Sequence, residues 1–362
     1  MFWQFRREFT EALLKKYEVI ISTPFVGHED DLAAMGCKMI KTDISRRGVN
    51  PFTDLKLLAE YHKLIKQEAP DMVITYSIKP NIYAGLLCGW KRIPYCANVQ
   101  GLGTAFQKKG IAAMVTWFYR LALKKASVVF FENEENARLF RERNIIPGTK
   151  QVVLPGAGIN LEHYPYQPMQ PKTDRVHFLY LGRIMKEKGI DELFDALHKL
   201  NVLYPDQFIL DMVGFFEDEY KEKVEELTKE GLVIFHGFTN DSRPYYEVAD
   251  CVVLPSYHEG MSNVLLEAAA TGRPLITSDI PGCREAVASD RSGFLCEKQN
   301  ADSLLIQMQH FMELAPEERE AMGCMGRTHV ETYFRKELVV EKTMRAVEEV
   351  MNGGEKVCQI TI

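Results

Sequence analysis

Residues 256–282 read SYHEGMSNVLLEAAATGRPLITSDIPG and follow the apolar run Cys251–Leu254. An apolar run of this length predicts a buried strand of a parallel sheet. The spacing then predicts a helix that begins near Ser262 and ends at Gly272, with Pro274 preventing its continuation. A strand followed by a turn and a helix indicates an α/β fold, in which ligands bind at the carboxyl ends of the strands.

Two carboxylates flank the start of this predicted helix. Glu259 lies in the turn, and Glu267 lies eight residues later, inside the helix. Gly260 permits a ligand to approach the backbone closely, and the free N–H groups of a first helical turn attract anions. This arrangement suits a sugar joined to a phosphate. The alternative is a surface loop followed by an ordinary amphipathic helix.

The longer string EGMSNVLLEAAATGRPLITSDIPGCRE, residues 259–285, resembles the signature of the family 4 retaining glycosyltransferases. Further segments extend the resemblance over nearly the whole chain: FRREFTEALLKKYEV, YSIKPNIYAGL, NVQGLGTAF, FFENEENARLF and LYLGRIMKEKGIDEL. The subgroup that it resembles most extends lipid-linked or capsular oligosaccharides in bacteria. The resemblance implies the GT-B architecture, an α/β fold of two Rossmann-like domains with a cleft between them.

The composition is that of a globular protein large enough for two domains. The chain has 362 residues, of which 46% are apolar and 26% are charged. The net charge of −6 argues against nucleic acid as a partner. The eight cysteines are scattered without a C-x-x-C pair, so we expect reduced thiols in a cytoplasmic protein. No signal peptide and no apolar run of roughly 18 residues, the length of a spanning helix, is recognised.

Strand and helix patterns alternate in both halves of the chain, and each half predicts a parallel sheet covered by helices. We expect an N-terminal, acceptor-side Rossmann-like domain over residues 1–160. A C-terminal domain that binds the nucleotide sugar is expected over 161–335, and a helical tail, 336–362, can pack back on the N-terminal domain. The stretch 155–173 contains four prolines and is predicted to be an interdomain linker.

The first predicted element is a helix over residues 2–16, whereas a Rossmann-like domain normally begins with a strand. The first strand and loop of the resembling family are therefore expected to be missing, which would leave sheet edges unpaired. We interpret the sequence as an incomplete reading of a longer protein or as a variant with an impaired N-terminal half. The alternative is that another segment fills the gap.

Two cations follow the predicted strand Val176–Leu181: Arg183, next to Gly182, and Lys188, at the start of the next helix. Cations are unfavourable at a helix N-terminus, which favours a functional role over two solvated side chains. Fixed positive charge stabilises a diphosphate leaving group. In the resembling family the matching Arg and Lys bind the donor diphosphate, so Arg183 and Lys188 are candidate catalytic residues.

The resemblance also assigns roles within residues 256–282. It implies that Glu267 accepts the ribose hydroxyls of the donor. Glu259 is implied to contact the transferred sugar as a third candidate catalytic residue, without acting as a nucleophile. The backbone of four consecutive residues is expected to contact the sugar or the phosphate: Gly260, Met261, Ser262 and Asn263.

Glycines that follow predicted strands are candidate walls for the nucleotide base, with ordinary strand-end glycines as the alternative. These are Gly214 and Gly237, the latter followed by Phe238. No D-x-D is flanked by apolar residues, and residues 217–219, EDE, are interpreted as a solvated helix start. Five histidines lack metal-ligand spacing: His163, His177, His198, His236 and His258. We expect no metal and no cofactor, with the nucleotide sugar as co-substrate.

Polar residues at two strand ends of the N-terminal half are candidate acceptor contacts, with ordinary turns as the alternative. One group follows the predicted strand Met72–Tyr76, and the other lies at the end of Tyr95–Val99. The candidates are Lys79, Asn81, Asn98, Gln100, Gly101 and Gly103. Many family members carry a histidine in the second loop. Here Asn98 and Gln100 stand near that place, so the group that assists the acceptor hydroxyl stays open.

A basic and aromatic stretch predicts a peripheral membrane contact. The apolar run 111–119 contains Trp117 and Phe118 and is bracketed by Lys108, Lys109, Arg120, Lys124 and Lys125. Such a helix can lie in a membrane interface, and a lipid-linked acceptor would place the protein at the inner face of the cell membrane. The alternative is a helix whose apolar face packs on the sheet.

These observations favour a retaining glycosyltransferase that moves a sugar from a nucleotide donor, expected to be UDP-linked, to a glycan or a polyprenyl-diphosphate-linked acceptor. Two alternatives stay open. One is a nucleotide-sugar epimerase or phosphorylase of the same architecture. The other is a non-catalytic protein that binds nucleotide sugars, against which the intact Arg183, Lys188, Glu259 and Glu267 argue. No G-x-G-x-x-G follows a predicted strand, which argues against a dinucleotide dehydrogenase.

Overall fold

A computed structural model describes residues 2–44, 51–101, 109–169, 175–288, 291–352 and 359–361. The chain forms two compact units. The first, called the N-terminal unit, comprises Met1–Ala157 together with Glu337–Ile362. The second, called the C-terminal unit, comprises Gly158–Lys336. Each unit contains one parallel sheet, so the predicted α/β class is confirmed.

The N-terminal unit alternates strands and helices after two short initial helices. Its helices are α1 Phe2–Phe5, α2 Arg7–Leu14, α3 Glu29–Ala34, α4 Pro51–Glu68, α5 Ile78–Lys91, α6 Lys109–Leu123, α7 Glu134–Glu142 and, near the C-terminus, α14 Lys336–Asn352. Its strands are β1 Glu18–Thr23, β2 Lys38–Lys41, β3 Met72–Tyr76, β4 Tyr95–Val99, β5 Val128–Phe131, β6 Gln151–Val153 and β13 Gln359–Thr361. The strand order is β2-β1-β13-β3-β4-β5-β6, with every pairing parallel.

The core of this unit lies on both faces of the sheet because β3 and β4 are buried along their whole length. One face packs against α2 and α14, through Leu13 and Val347. The other face packs against α6 and α7, through Tyr119 and Phe140. A sheet that is covered on both faces needs near-continuous apolar strands, which is the pattern of Val128–Phe131.

The position between β1 and β3 is filled by β13, from the C-terminal end of the chain. Gln359 pairs with Glu18, and Ile360 pairs with both Val19 and Met72. The sequence predicts a helix before β1 and a gap in the sheet, with filling by another segment as the alternative. The helices precede β1 as expected, and the alternative is what the structure shows.

The C-terminal unit has six strands and six helices among its described residues. The strands are β7 Val176–Leu181, β8 Phe208–Val213, β9 Val233–Gly237, β10 Cys251–Leu254, β11 Leu275–Ser278 and β12 Gly293–Cys296. The helices are α8 Ile190–Leu203, α9 Lys221–Lys229, α10 Arg243–Val248, α11 Asn263–Ala270, α12 Ala301–Glu313 and α13 Pro316–Tyr333. The sheet order is β12-β11-β10-β7-β8-β9, again parallel throughout.

The proline-rich stretch predicted as a linker is largely part of the C-terminal unit. The N–H of Ile159 donates to the carbonyl of Phe334 at 2.7 Å, and the N–H of Gln167 donates to the carbonyl of Thr271 at 3.2 Å. Ile159 is also buried in the core. The boundary between the two units, at Ala157 and Gly158, lies within this stretch, and the residues after it pack on the C-terminal unit. Prolines exclude helix and strand but do not reveal what a segment packs against.

Within the part of the chain that the structure describes, the helices are too short or too polar to span a lipid bilayer. The described cysteines all carry free thiols, and all but Cys324 are buried. Burial raises the pKa of the Cys37 thiol to about 11 and that of Cys96 to about 12, so these thiols are not reactive thiolates near neutral pH.

We expect Ile360→Pro to lower the melting temperature by about 2–10 °C. Proline removes a backbone N–H from a strand that has neighbours on both sides, and one lost buried hydrogen bond costs about 1–3 kcal/mol. Ile360→Val keeps the backbone hydrogen bonds and is the matched control. Equal melting temperatures for the two variants, measured by differential scanning fluorimetry, would contradict the placement of β13 in the sheet.

Candidate active site

The loop between β10 and α11 is fixed at the carboxyl end of the C-terminal sheet. β10 is completely buried. Ser262 is the N-cap of α11, where its side chain accepts from the N–H of Leu265 at 3.4 Å, as the predicted helix start requires. The N–H of Ser262 donates to the carbonyl of Gly282 at 2.8 Å. The loop is therefore held from both sides, which fixes the residues between β10 and α11.

The structure brings together two predicted motifs that are 71 residues apart. Lys188 Nζ lies 2.5 Å from Glu259 Oε1, and both side chains are mostly buried. Ser256 Oγ donates to the same oxygen at 2.9 Å. The backbones are also joined, because the N–H of Tyr257 donates to the carbonyl of Glu187 at 2.8 Å. A cation and a carboxylate in this contact form one polar site.

Arg183 lies at the carboxyl end of β7, close to that of β8. Its Nη1 is 2.5 Å from Glu217 Oε2, and its guanidinium is about half exposed. Gly182 and Gly214 bring the two strand ends into backbone contact: a Cβ on Gly214 would lie 1.8 Å from the carbonyl oxygen of Gly182. Close packing of the two backbones therefore requires glycine at position 214. The proposed contact of Gly214 with the nucleotide base stays a prediction.

The partner of Arg183 was missed by the sequence analysis, which interpreted residues 217–219 as a solvated helix start. Glu217 instead binds Arg183, and Asp218 Oδ2 accepts the N–H of Lys186 at 2.9 Å. Helix α9 begins only at Lys221. The interpretation was wrong because a run of acidic residues before a helix has the same pattern whether it faces solvent or a cation on a neighbouring loop.

Glu267 lies on α11 and is only 7% exposed. Its Oε2 accepts a hydrogen bond from Tyr246 Oη at 2.9 Å and another from Ser242 Oγ at 3.3 Å. Burial raises the pKa of Glu267 to about 7, although the hydroxyls of Tyr246, Tyr164 and Ser242 oppose the shift. Glu267 is recognisable from the sequence, but the hydroxyl groups that hold it are not, because they come from the start and middle of α10 and from the segment before β7.

Two exposed aromatic rings stand at the carboxyl ends of β8 and β9. Phe238 is 65% exposed and Phe215 is 46% exposed, and their ring centroids are 6.0 Å apart in an edge-to-face arrangement. Phe238 is the predicted wall of a base site, and Phe215 was missed. A signal was present, because Gly214–Phe215 repeats the Gly237–Phe238 pattern one strand away.

The other predicted donor-binding residues lie at the start of α11 and differ in whether the backbone or the side chain is accessible to a ligand. The side chain of Met261 is buried in the core, which leaves its backbone as the part that a ligand can contact. Asn263 is half-buried as the first residue of α11. Gly260 directly follows Glu259 in the sequence and stands two residues before the N-cap Ser262.

The acceptor-side candidates of the N-terminal unit lie at the ends of β3 and β4. Lys79 Nζ is 2.8 Å from Asp54 Oδ1. Asn81 and Asn98 are buried: Asn81 Nδ2 donates to the carbonyl of Asn98, and Asn98 Nδ2 donates to the carbonyl of Thr75. Their amides therefore stabilise the two strand ends. A direct acceptor contact by these residues stays a prediction.

The remaining acceptor-side candidates are Gln100, Gly101 and Gly103. Gln100 and Gly101 are half-buried, directly after β4. Gly103 lies outside the described residues, as does Lys108 of the predicted membrane stretch. No role of these residues follows from the geometry.

Among the described residues, no group of three or more His, Cys, Asp and Glu side chains could hold a metal ion. His177 and His236 both hydrogen-bond the carboxylate of Asp211, at 2.8 and 2.7 Å. Burial tends to raise the pKa of Asp211, but these two hydrogen bonds outweigh it and the pKa is lower than usual. The histidines therefore have a structural partner.

A pocket of about 290 Å³ lies between the segment before β7 and the start of α10. Its charged lining combines Glu162, Asp241 and Glu247 with His163 and Arg243. The acidic residues outnumber the cations, which does not suit a diphosphate. None of the predicted site residues lines this pocket, so we do not place the donor there.

Two family models match the chain. The model described as Glycosyl transferases group 1 matches residues 167–329, and the model described as Glycosyl transferase 4-like matches residues 2–133. The first covers most of the C-terminal unit, including Arg183, Lys188, Glu259 and Glu267. Together the two models cover every strand of the C-terminal sheet and all strands of the N-terminal sheet except β6 and β13, and the resemblance predicted from the sequence is confirmed.

Curated relatives and solved structures agree with these models. The N,N'-diacetylbacillosaminyl-diphospho-undecaprenol alpha-1,3-N-acetylgalactosaminyltransferase of Campylobacter jejuni is 28% identical over 331 residues, covering 86% of each chain. The UDP-Gal:alpha-D-GlcNAc-diphosphoundecaprenol alpha-1,3-galactosyltransferase of Escherichia coli is 27% identical, covering 72% of this chain and 70% of the relative. A glycosyltransferase structure from Rickettsia africae superimposes with a TM-score of 0.75 at 20% identity, covering 96% of this chain and 94% of that one, which supports the fold.

We expect Gly214→Ala to lower the melting temperature well beyond Gly231→Ala. Both glycines have a positive φ that residues with side chains rarely adopt, so both substitutions strain the backbone, by about 1–3 kcal/mol. Only the Cβ at position 214 meets a carbonyl oxygen, whereas the one at 231 meets nothing within 4 Å. The comparison is made by thermal unfolding. Equal losses would show that the strand ends can separate without cost.

Proposed function

The chain belongs to the group 1 glycosyltransferases, and on this premise we propose that it transfers a sugar, with retention of anomeric configuration, from a UDP-linked donor to a polyprenyl-diphosphate-linked or growing glycan. The observation that carries the proposal is the contact between Lys188 and Glu259 at the sheet edge that also bears Arg183. The resemblance assigns these three residues to the diphosphate and the transferred sugar. All three residues belong to the C-terminal unit.

The names of the relatives support the substrate classes. The relatives from C. jejuni and E. coli are both named for acceptors in which a sugar is linked through a diphosphate to undecaprenol, and the E. coli enzyme is named for UDP-Gal. A donor and an acceptor of these classes fit a site with fixed cations.

Arg183 and Lys188 are proposed to stabilise the leaving diphosphate. Negative charge develops on the diphosphate as the bond to the sugar breaks, and preorganised cations lower the free energy of that transition state. In the protein each cation is held by a carboxylate, Glu217 or Glu259, so it need not be ordered when the donor binds. Glu259 is proposed to act both on Lys188 and on the transferred sugar, and the reaction is proposed to need no metal.

Arg183→Ala and Lys188→Ala are each expected to lower kcat by about 10²-fold or more, the scale for removing a preorganised electrostatic group. Lys186→Ala removes an exposed lysine from the same loop and is the control, with activity expected close to wild type. The assay measures UDP released from UDP-sugars with and without a polyprenyl-diphosphate glycan.

The same assay separates the alternatives. Release of UDP only with acceptor supports transfer, and formation of a new sugar epimer without acceptor would support an epimerase. Loss of activity with EDTA that Mg²⁺ or Mn²⁺ restores would refute the metal-independent mechanism. Equal activity of the Arg183, Lys188 and Lys186 variants would remove the proposed role of the two cations.

Helix α6 is proposed as a peripheral membrane contact, which would place the protein at the cytoplasmic face of the membrane. Its inner face, with Val115 and Tyr119, is buried in the core. Its outer face exposes Met114, Trp117 and Leu121, and Trp117 is 54% exposed. The inner face packs on the sheet, which is the alternative given for this helix, and the exposed outer face supports the proposed membrane contact. Exposed apolar side chains beside Arg120 and Lys124 suit an interface with anionic lipid.

Trp117→Glu is expected to reduce co-sedimentation with phosphatidylglycerol-containing liposomes, since it puts a negative charge on the proposed contact face. Trp90→Glu is the matched control, because Trp90 is also exposed but lies on α5. Wild-type binding should weaken as salt rises, since exposed charges are screened within about 10 Å at 0.1 M. Equal loss for both variants, or none for either, would count against α6.

A further inference from the structure

The carboxylate of Glu267 is anchored by groups from other elements of the C-terminal unit. Tyr246 Oη, at 2.9 Å, and Ser242 Oγ, at 3.3 Å, donate to the same oxygen, Oε2. Tyr164 Oη lies 3.4 Å from Ser242 Oγ, and its ring stands edge-on to that of Tyr246. Tyr246 is fully buried. A buried tyrosine and a helix-cap serine that meet on one carboxylate oxygen fix the side-chain rotamer of Glu267.

The number of hydrogen bonds that the Glu267 carboxylate can accept determines which of its oxygens is left for a ligand. A carboxylate has about four lone-pair positions, two on each oxygen. Two protein hydroxyls fill those of Oε2 in Glu267, and Tyr164 also hydrogen-bonds this carboxylate, so Oε1 is the oxygen with a position left for a ribose hydroxyl. We propose that Tyr246 and Ser242 are positioning residues for the donor's ribose, because they hold Oε2 and thereby present Oε1 to the ribose hydroxyls. This inference rests on the proposed function, which puts a nucleotide sugar at Glu267.

The same hydroxyls act on the protonation of Glu267. Burial raises its pKa to about 7, whereas Tyr246, Tyr164, Ser242 and the positive charge of Lys336 lower it. Loss of one of these groups therefore raises the pKa further. Below its pKa the carboxyl is protonated and accepts fewer hydrogen bonds from ribose, so donor affinity falls as pH decreases through that value. Removal of a positioning hydroxyl should move this fall to higher pH.

Tyr246→Phe tests the inference, because it keeps the buried ring and removes only the hydroxyl. We expect the Kd for UDP at pH 7 to rise about three- to tenfold, the effect of one net hydrogen bond. Isothermal titration calorimetry between pH 5.5 and 9 should show the midpoint of the affinity loss at higher pH than in wild type. The ionisation of UDP itself is common to both proteins and does not affect the comparison.

Two further variants keep the test decisive. Ser242→Ala removes the longer of the two hydrogen bonds and should give a smaller effect in the same direction, which also serves if Tyr246→Phe does not fold. Tyr245→Phe is the matched control on the same helix, since the ring of Tyr245 lies against His236, 5.0 Å between centroids. Its UDP affinity and pH midpoint should equal those of wild type.

A UDP analogue without the 2′-hydroxyl distinguishes positioning from a structural role. If Tyr246 acts through the ribose, Tyr246→Phe should weaken binding of 2′-deoxy-UDP less than binding of UDP. Equal weakening for both nucleotides with an unchanged pH midpoint overturns the inference alone and leaves the proposed function intact. Failure of the wild-type protein to bind UDP overturns both together.

Discussion

The loops of the donor site depend on places where two backbones touch with no room for a side chain. A Cβ at Gly189 would lie 2.0 Å from the carbonyl oxygen of Pro255, and one at Gly214 would lie 1.8 Å from that of Gly182. These contacts bring the ends of β7, β8 and β10 to one edge of the sheet. Only at that spacing can Lys188, which precedes Gly189, reach the loop that follows β10. The chemistry of the site is thus set by backbone packing before any side chain contributes.

Charge in this site is balanced within the protein. Arg183 is paired with Glu217 and Lys188 with Glu259, so neither cation stands uncompensated in a partly buried position. Removing one partner of such a pair leaves a partly desolvated charge without a counterion, which lowers the stability of the folded protein. Glu267 differs from these paired residues because it is buried among hydroxyl groups, and burial raises its pKa to about 7.

The N-terminal unit is built from both ends of the chain. β13 lies between β1 and β3, and α14 packs on the core that also contains Leu13. Contacts between residues so far apart in sequence form late, because the loop that joins them must close first. The C-terminal unit has no such dependence, since its strands all come from one continuous segment. The strands that carry the proposed donor site therefore all come from residues 176–296.

The sequence by itself determined the α/β class and the positions of most strands and helices, and it identified Arg183, Lys188, Glu259 and Glu267 as the candidate site residues. It could do so because strand and helix periodicity depend on residues a few positions apart, and because the motif at 259–285 is long and specific. Only the tertiary structure decided which groups meet: Glu217 with Arg183, the hydroxyls of α10 with Glu267, and β13 with β1 and β3. Those contacts depend on strand order and on the close approach of distant loops, neither of which leaves a local pattern in the sequence.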